Sequence, residues 1–242
     1  MGSITRSLSN NITTGGVILP AGITNSSVSA VTSFANASGG TLILLSTQTA
    51  SSSATISFTT GLDSTYDEYI FKFINIHPAT DDSSFTFNMS TDGGSNYNVT
   101  KTSSAFLAYH TEADDATLLA YSTSQDLAQS TAFQILTERI GNGNDECCSG
   151  SLTLFNPSST TYVKHFISVA NRYYFEDLSA NDFIAGYGNT TSAVNAIQFK
   201  MSSGNIDDGI IKLYGVKKSW WLYFRYTQTK KFAKEIAHGK YN

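Results

Sequence analysis

Four histidines, His77, His110, His165 and His238, are the side chains best suited by type to move protons in this 242-residue chain. Nucleophilic catalysis needs a nucleophile, a base beside it and a group that orients the base. His110 has Glu112, Asp114 and Asp115 close by, so an oriented base could be built there. The nucleophile is the weak part. Serine is so frequent that one near a histidine distinguishes nothing, and no G-x-S-x-G elbow occurs. His165 sits in TYVKHFISVA, where alternation makes it a wall residue of a strand. His77 precedes Pro78 at a strand end and is expected to hydrogen-bond the turn.

The carboxylates and thiols raise other chemistries. Glycoside hydrolysis needs two carboxyl groups at a set separation. Asp114, Asp115, Glu138 and Glu176 are candidates, but solvated turn acids are the plainer reading. Asp81-Asp82, Asp114-Asp115 and Asp207-Asp208 are oxygen-rich loops of the sort that bind Ca²⁺, yet none follows the EF-hand pattern. Aspartates at turns usually cap the backbone. Cys147 and Cys148 are adjacent, which disfavours relaxed disulfide geometry, and no C-x-x-C pair accompanies them. No cofactor is expected. Tyr173, Tyr174 and Tyr187, near Asn171, Phe175 and Asn189, form a candidate glycan-contact surface, because aromatic faces stack on sugar rings. Packing is the competing role for these tyrosines.

Composition directs attention from catalysis to assembly. Only 14% of residues are charged, while 12% are aromatic. That aromatic content supplies enough apolar surface to offset ordering entropy. The net charge of −4 hides an asymmetry. Residues 1–62 hold one charged side chain, Arg6. From Lys217 onward, seven Lys/Arg face one Glu, so this segment carries +6 and the remainder −10. A neutral leader, an acidic middle and a basic end suggest docking on self or on neighbouring subunits. The acidic middle opposes nucleic-acid binding. The longest aliphatic run, Leu42–Leu45, is far too short for a membrane span, and MGSITRSLSNN lacks the apolar core of a signal peptide.

Period-2 alternation is the dominant pattern. In TYDEYIFKFINIHPATDDSSFTFNMSTDGGSNYNVT, Tyr69, Phe71, Phe73 and Asn75 share one face, opposite Ile70, Lys72, Ile74 and Ile76. Phe85, Phe87 and Met89 alternate with Thr86, Asn88 and Ser90, which predicts one wet face. The same reading predicts strands at 42–48, 54–60, 68–77, 84–91, 104–110, 117–122, 133–140, 151–155, 162–170, 182–187, 196–201 and 210–216. Residues 126–134 carry a helical turn as the alternative. About a dozen short strands imply an all-β, jelly-roll-like antiparallel β-sandwich over residues 41–217. Residues 1–40 read as an extended N-terminal arm. Residues 218–242 read as a basic aromatic tail with a short helix over TKKFAKEIAH. Trp220, Trp221, Tyr223, Phe224, Tyr226, Phe232 and Ile236 are its candidate interface residues.

Several runs resemble a family of structural proteins from tailed phages of marine bacteria. They are GGTLILLSTQTASSSATISFTTGLDSTYDEYIFKFINIHPATD, YHTEADD, STSQDLAQSTAF, GNGNDECCSGSLTLFNPSSTTYVKHF and NAIQFKMSSGNIDDGIIKLYGVK. The leader ITRSLSNNITTGGVILPAGITNSSVSAV is also similar. The resemblance spans about residues 4–217, so the segment after Lys217 departs from it. It implies a non-enzymatic virion protein, placed as a tail fibre, appendage or head decoration. It implies partners among other virion proteins and a homo-oligomer, with a trimer favoured. It supplies no catalytic or binding residue. A carbohydrate-binding module, contacting a host surface glycan, is the second expectation, and a glycan depolymerase the third.

Overall fold

The structure, a computed structural model, describes residues 41–218. The expected arm and tail, with the candidate interface residues between Trp220 and Ile236, lie outside the described residues.

The described chain consists of twelve strands: β1 Leu42–Ser53, β2 Ile56–Phe58, β3 Glu68–Pro78, β4 Ser83–Ser90, β5 Lys101–Thr111 and β6 Thr117–Tyr121, then β7 Gln134–Ile140, β8 Cys148–Phe155, β9 Lys164–Tyr174, β10 Leu178–Gly188, β11 Ala196–Met201 and β12 Ile206–Val216. All pairings between them are antiparallel. Two runs build the sandwich. One is β1-β12-β3-β8, extended at its β8 side by β9, β10, β5 and β6. The other is β2-β11-β4-β7. A single bridge, Ile140 to Tyr174, links β7 to β9 and joins the runs.

Aromatic side chains fill the space between them. Phe199 on β11 stacks on Phe85 at 5.6 Å and meets Phe71 at 5.4 Å and Phe58 at 6.2 Å. Phe73 meets Phe85 at 5.2 Å, and Phe87 meets Phe166 at 5.2 Å, both edge-on. Edge-to-face and offset pairs suit the ring quadrupoles and add to the gain from burial.

The alternation read from the sequence holds where the sheet is regular. On β3 it fails at Asn75, whose φ is +51°. The register shifts between Phe73 and Ile76 there, so Ile76 turns into the core while Ile74 stays exposed. The partner strand has a matching irregularity at Gly209, with φ +125°. A Cβ on Gly209 would come within 2.7 Å of the Asn75 carbonyl oxygen, so the paired irregularity requires glycine. The strand expected over 210–216 begins earlier, at Ile206.

Strand β4 corrects a second expectation. Its polar face is not wet, since all eight residues are buried. The loops of residues 91–100 and 126–133 cover it. Asn88 Nδ2 donates to the carbonyls of Tyr97 (2.7 Å) and Thr131 (3.0 Å), and Thr86 Oγ1 donates to the Lys200 carbonyl at 2.9 Å. Residues 126–134 form no helical turn; Ser130 instead bridges to Lys101.

Candidate functional site

The sandwich end beside the β3 irregularity gathers most of the reactive side-chain types. A cleft of about 460 Å³ is lined by His77, Asp145, Glu146, Cys147, Asp207 and Asp208, with Asn75 and Asn144. An adjoining cleft of about 360 Å³ shares Asp145 and Cys147 and adds His110, Glu112, Arg172 and Tyr173. Topology thus brings a thiol near two histidines that are 33 positions apart in sequence.

Most polar groups of this end are occupied in shaping loops. His77 Nε2 donates to the Gly143 carbonyl at 3.0 Å, and its Nδ1 lies 3.7 Å from Asp207. The ring does brace a loop, as expected of a histidine before proline, although the loop is the one after β7. Glu146 takes the Gly143 N–H, Asp81 takes the Asn142 N–H, and Asp82 pairs with Arg139 at 2.9 Å. Asp208 takes the Gly209 N–H, and Asp114 pairs with His110 at 3.1 Å. The aspartate pairs considered for calcium are thus backbone and side-chain partners. Among the described residues no group of three or more His, Cys, Asp or Glu is placed to hold a metal ion. Glu138 accepts from Ser124, Asp115 from Thr111, and none of Asp114, Asp115, Glu138 and Glu176 lines these clefts.

Nor is the thiol activated. Burial, then the charge of Asp145, pushes Cys147 above its ordinary value. Cys148 is fully buried and pushed up further by the same desolvation. A reactive cysteine needs a thiolate, and these surroundings oppose one. Both cysteines are free.

The three candidate glycan tyrosines are not brought together. β9 continues to Tyr174 and β10 begins at Leu178, so Tyr173 and Tyr174 stand at the tip of a hairpin rather than in a loop. Tyr187 lies near the opposite end, paired with His165, while Tyr173 pairs with Ser179. The eight residue steps along the strand from one pair to the other correspond to about 27 Å at ~3.4 Å per step. Glu112 foremost, with burial and Asp177, pushes the Tyr173 hydroxyl up to about 12. The Tyr174 ring carries the Arg139 guanidinium at 5.0 Å and that of Arg172 at 5.4 Å, so it packs rather than presents a face. Tyr187, with His165 at 6.1 Å, borders an open groove of about 530 Å³ floored by Gly186.

That groove belongs to a larger feature. The outer faces of β9, β10, β5 and β6 carry Ile167, Val169, Phe183, Phe106, Tyr121 and Leu119 in register. Phe106 stacks on Phe183 with centroids 4.8 Å apart. Leu119 is 72% exposed, Tyr121 56%, Ile167 49% and Phe106 47%. Among the described residues, strand β6 pairs only with β5, and no described strand pairs its other edge. A contiguous exposed apolar face beside an open strand edge marks an interaction surface. The sequence held a hint of it: KHFISVANRYY is apolar on both faces around Phe166–Val169, where a half-wet strand would be polar on one.

Comparison with known proteins brings no relative to bear on either site. No protein-family model, no curated protein and no solved structure matches this chain.

Proposed function

We propose that this chain is a non-enzymatic structural protein of a tailed-phage virion, carried as a tail fibre, appendage or head decoration, which assembles with itself and with other virion proteins. The observation that carries the assembly reading is the apolar outer face of β9, β10, β5 and β6, beside a strand edge that no other described strand pairs. A rigid hydroxyl-rich body whose thiols are deactivated and whose acids are spent on loops is consistent with a scaffold. The assignment to phage rests on the resemblance of residues 4–217 to virion proteins.

The strand orders support a jelly-roll reading. The first strand of the body lies beside the last, and β1-β12-β3-β8 faces β2-β11-β4-β7. This is the order of two interlocked Greek keys, with the hairpins β5-β6 and β9-β10 added as an extension of one sheet. The extension is the part that carries the apolar face, so it would set subunit contacts while the eight-stranded core supplies rigidity.

Closed homo-oligomers, a trimer favoured, satisfy such a face without leaving copies of it open. Light scattering behind size-exclusion chromatography tests this. The purified chain is expected to run as an oligomer, and Leu119→Glu with Ile167→Glu should dissociate it while leaving its circular dichroism unchanged. A monomeric parent chain would refute self-assembly through this face. Immunogold labelling of purified particles tests the virion placement, and particles without label would refute it. A second reading, glycan binding, is favoured by one observation: Tyr187 borders an open groove. A glycan array probed with parent and Tyr187→Ala chains decides it, since binding that ignores the substitution removes this groove from consideration.

A further inference from the structure

We propose that Lys101 and Asn88 close an intramolecular amide cross-link between the start of β5 and the middle of β4. The two side chains are 13 positions apart in sequence, and Lys101 Nζ lies 2.5 Å from Asn88 Oδ1. Oδ1 is one bond from the amide carbon, so the amine already stands beside the electrophile. Both residues are 0% exposed, which keeps water from competing for the same carbon.

The surroundings orient this amide for attack. Its nitrogen is held by the carbonyls of Tyr97 and Thr131, which leaves the oxygen turned to the lysine. The Met89 N–H donates to Oδ1 at 2.9 Å. A fixed N–H on that oxygen stabilises the charge that grows there as the carbonyl opens. Only the Val99 carbonyl, at 2.8 Å, joins Asn88 as a partner of the ammonium among the described residues. No carboxylate among the described residues bonds it, so two neutral acceptors carry the buried charge without a counter-ion. Desolvation accordingly lowers Lys101 to about 7, where a large fraction is the unprotonated nucleophile near neutral pH. Gly188, the β10 partner of Lys101, keeps the site tight. A Cβ there would stand 2.7 Å from Met89 Cε and 3.0 Å from Val99 Cγ1.

The step balances without an outside reagent. The neutral lysine amine attacks Asn88 Cγ, forming the new C–N bond and moving the carbonyl electrons onto Oδ1. A proton passes from the attacking nitrogen to Nδ2. The Cγ–Nδ2 bond breaks, ammonia leaves and the carbonyl re-forms. Nothing is oxidised or reduced. The product is a secondary amide that ties β4 of the sandwich to β5 of the extended sheet.

Mass spectrometry of the full-length purified chain tests this. Trypsin cuts after Lys72, Lys101 and Arg139, but a cross-linked Lys101 is no longer a cleavage site. The expected product is a peptide of residues 73–139 lighter by one ammonia molecule, with no backbone fragments separating Asn88 from Lys101. Lys101→Met and Asn88→Ala chains should each show their sequence mass across this region. Recovery of an unmodified 73–101 peptide from folded parent chain overturns the proposal. So does an ammonia loss that maps to any other residue.

Discussion

The buried ion pair of Arg172 and Asp182 offers the sharpest test of how the extended sheet is held to the sandwich. Their side chains are 2% and 0% exposed, with Nη1 2.5 Å from Oδ2. Asp182 on β10 also accepts from Thr137 of β7 at 2.6 Å and from Gln125 at 2.8 Å. Three donors therefore converge on one carboxylate. The pair is not fully satisfied, because Arg172 Nε and Gln125 Oε1 have no partner among the described residues. Asp182→Ala would leave a buried guanidinium, a hydroxyl and an amide without their acceptor. Breaking a buried pair on one side costs about 3–5 kcal/mol. Replacing both partners by apolar residues is commonly neutral or better, and the unpaired Nε moves the balance that way. Arg172→Met with Asp182→Leu removes the stranded guanidinium but still leaves the Thr137 hydroxyl and the Gln125 amide without their acceptor, so it is expected to cost about 1–3 kcal/mol, less than the single variant. Urea unfolding followed by far-ultraviolet circular dichroism reads this. With a slope of ~2 kcal/mol per molar, the single variant should move the midpoint down by about 1.5–2.5 M. A single variant costing under about 1 kcal/mol, or a double variant worse than the single, would refute the reasoning.

Four further outcomes follow from other parts of the molecule. Phe199→Ala removes the ring that meets Phe58, Phe71, Phe85 and Phe87, and should cost about 3–5 kcal/mol in the same assay. Gly209→Ala meets both a positive φ and the Asn75 carbonyl, so a loss of about 1–3 kcal/mol is expected in thermal or urea unfolding. Burial holds Lys164 below its ordinary 10.5. The unfolded chain then binds the proton more readily, so stability should rise with pH between the lowered value and 10.5, and Lys164→Met should flatten that slope. Titration of the native chain with a thiol reagent should modify the half-buried Cys147 before Cys148, which should react only on unfolding. Equal rates for the two would contradict the burial described.

Much of the architecture was legible because hydrophobic alternation and turn residues are local signals. Each of the twelve expected strands is present, several longer than read. β9 and β10 grew towards each other until only Phe175–Asp177 separated them, since tertiary pairing extends a strand past the point where its own pattern fades. Two things could not be read. The direction of Ile76 depends on an extra residue at Asn75, and one inserted residue reverses every side chain after it. The burial of Lys101 depends on two loops folding over β4, and nothing in VTKTSSA distinguishes a covered lysine from a solvated one. The candidate tyrosines illustrate the same limit from the other side. Proximity in sequence placed Tyr173 and Tyr174 in one patch, whereas strand alternation turns neighbours to opposite faces.

The Lys217 N–H donates to the Thr41 carbonyl at 2.9 Å, so the two ends of the β-body meet at a single hydrogen bond. A body with touching ends can be circularly permuted: a short linker closes Thr41 to Lys217, and new ends open at the exposed Asp92–Gly94 turn between β4 and β5. It can equally be spliced as a cassette into a surface loop of an unrelated host. Such a graft would carry the apolar outer face to a new scaffold without asking that scaffold to change the spacing of its loop.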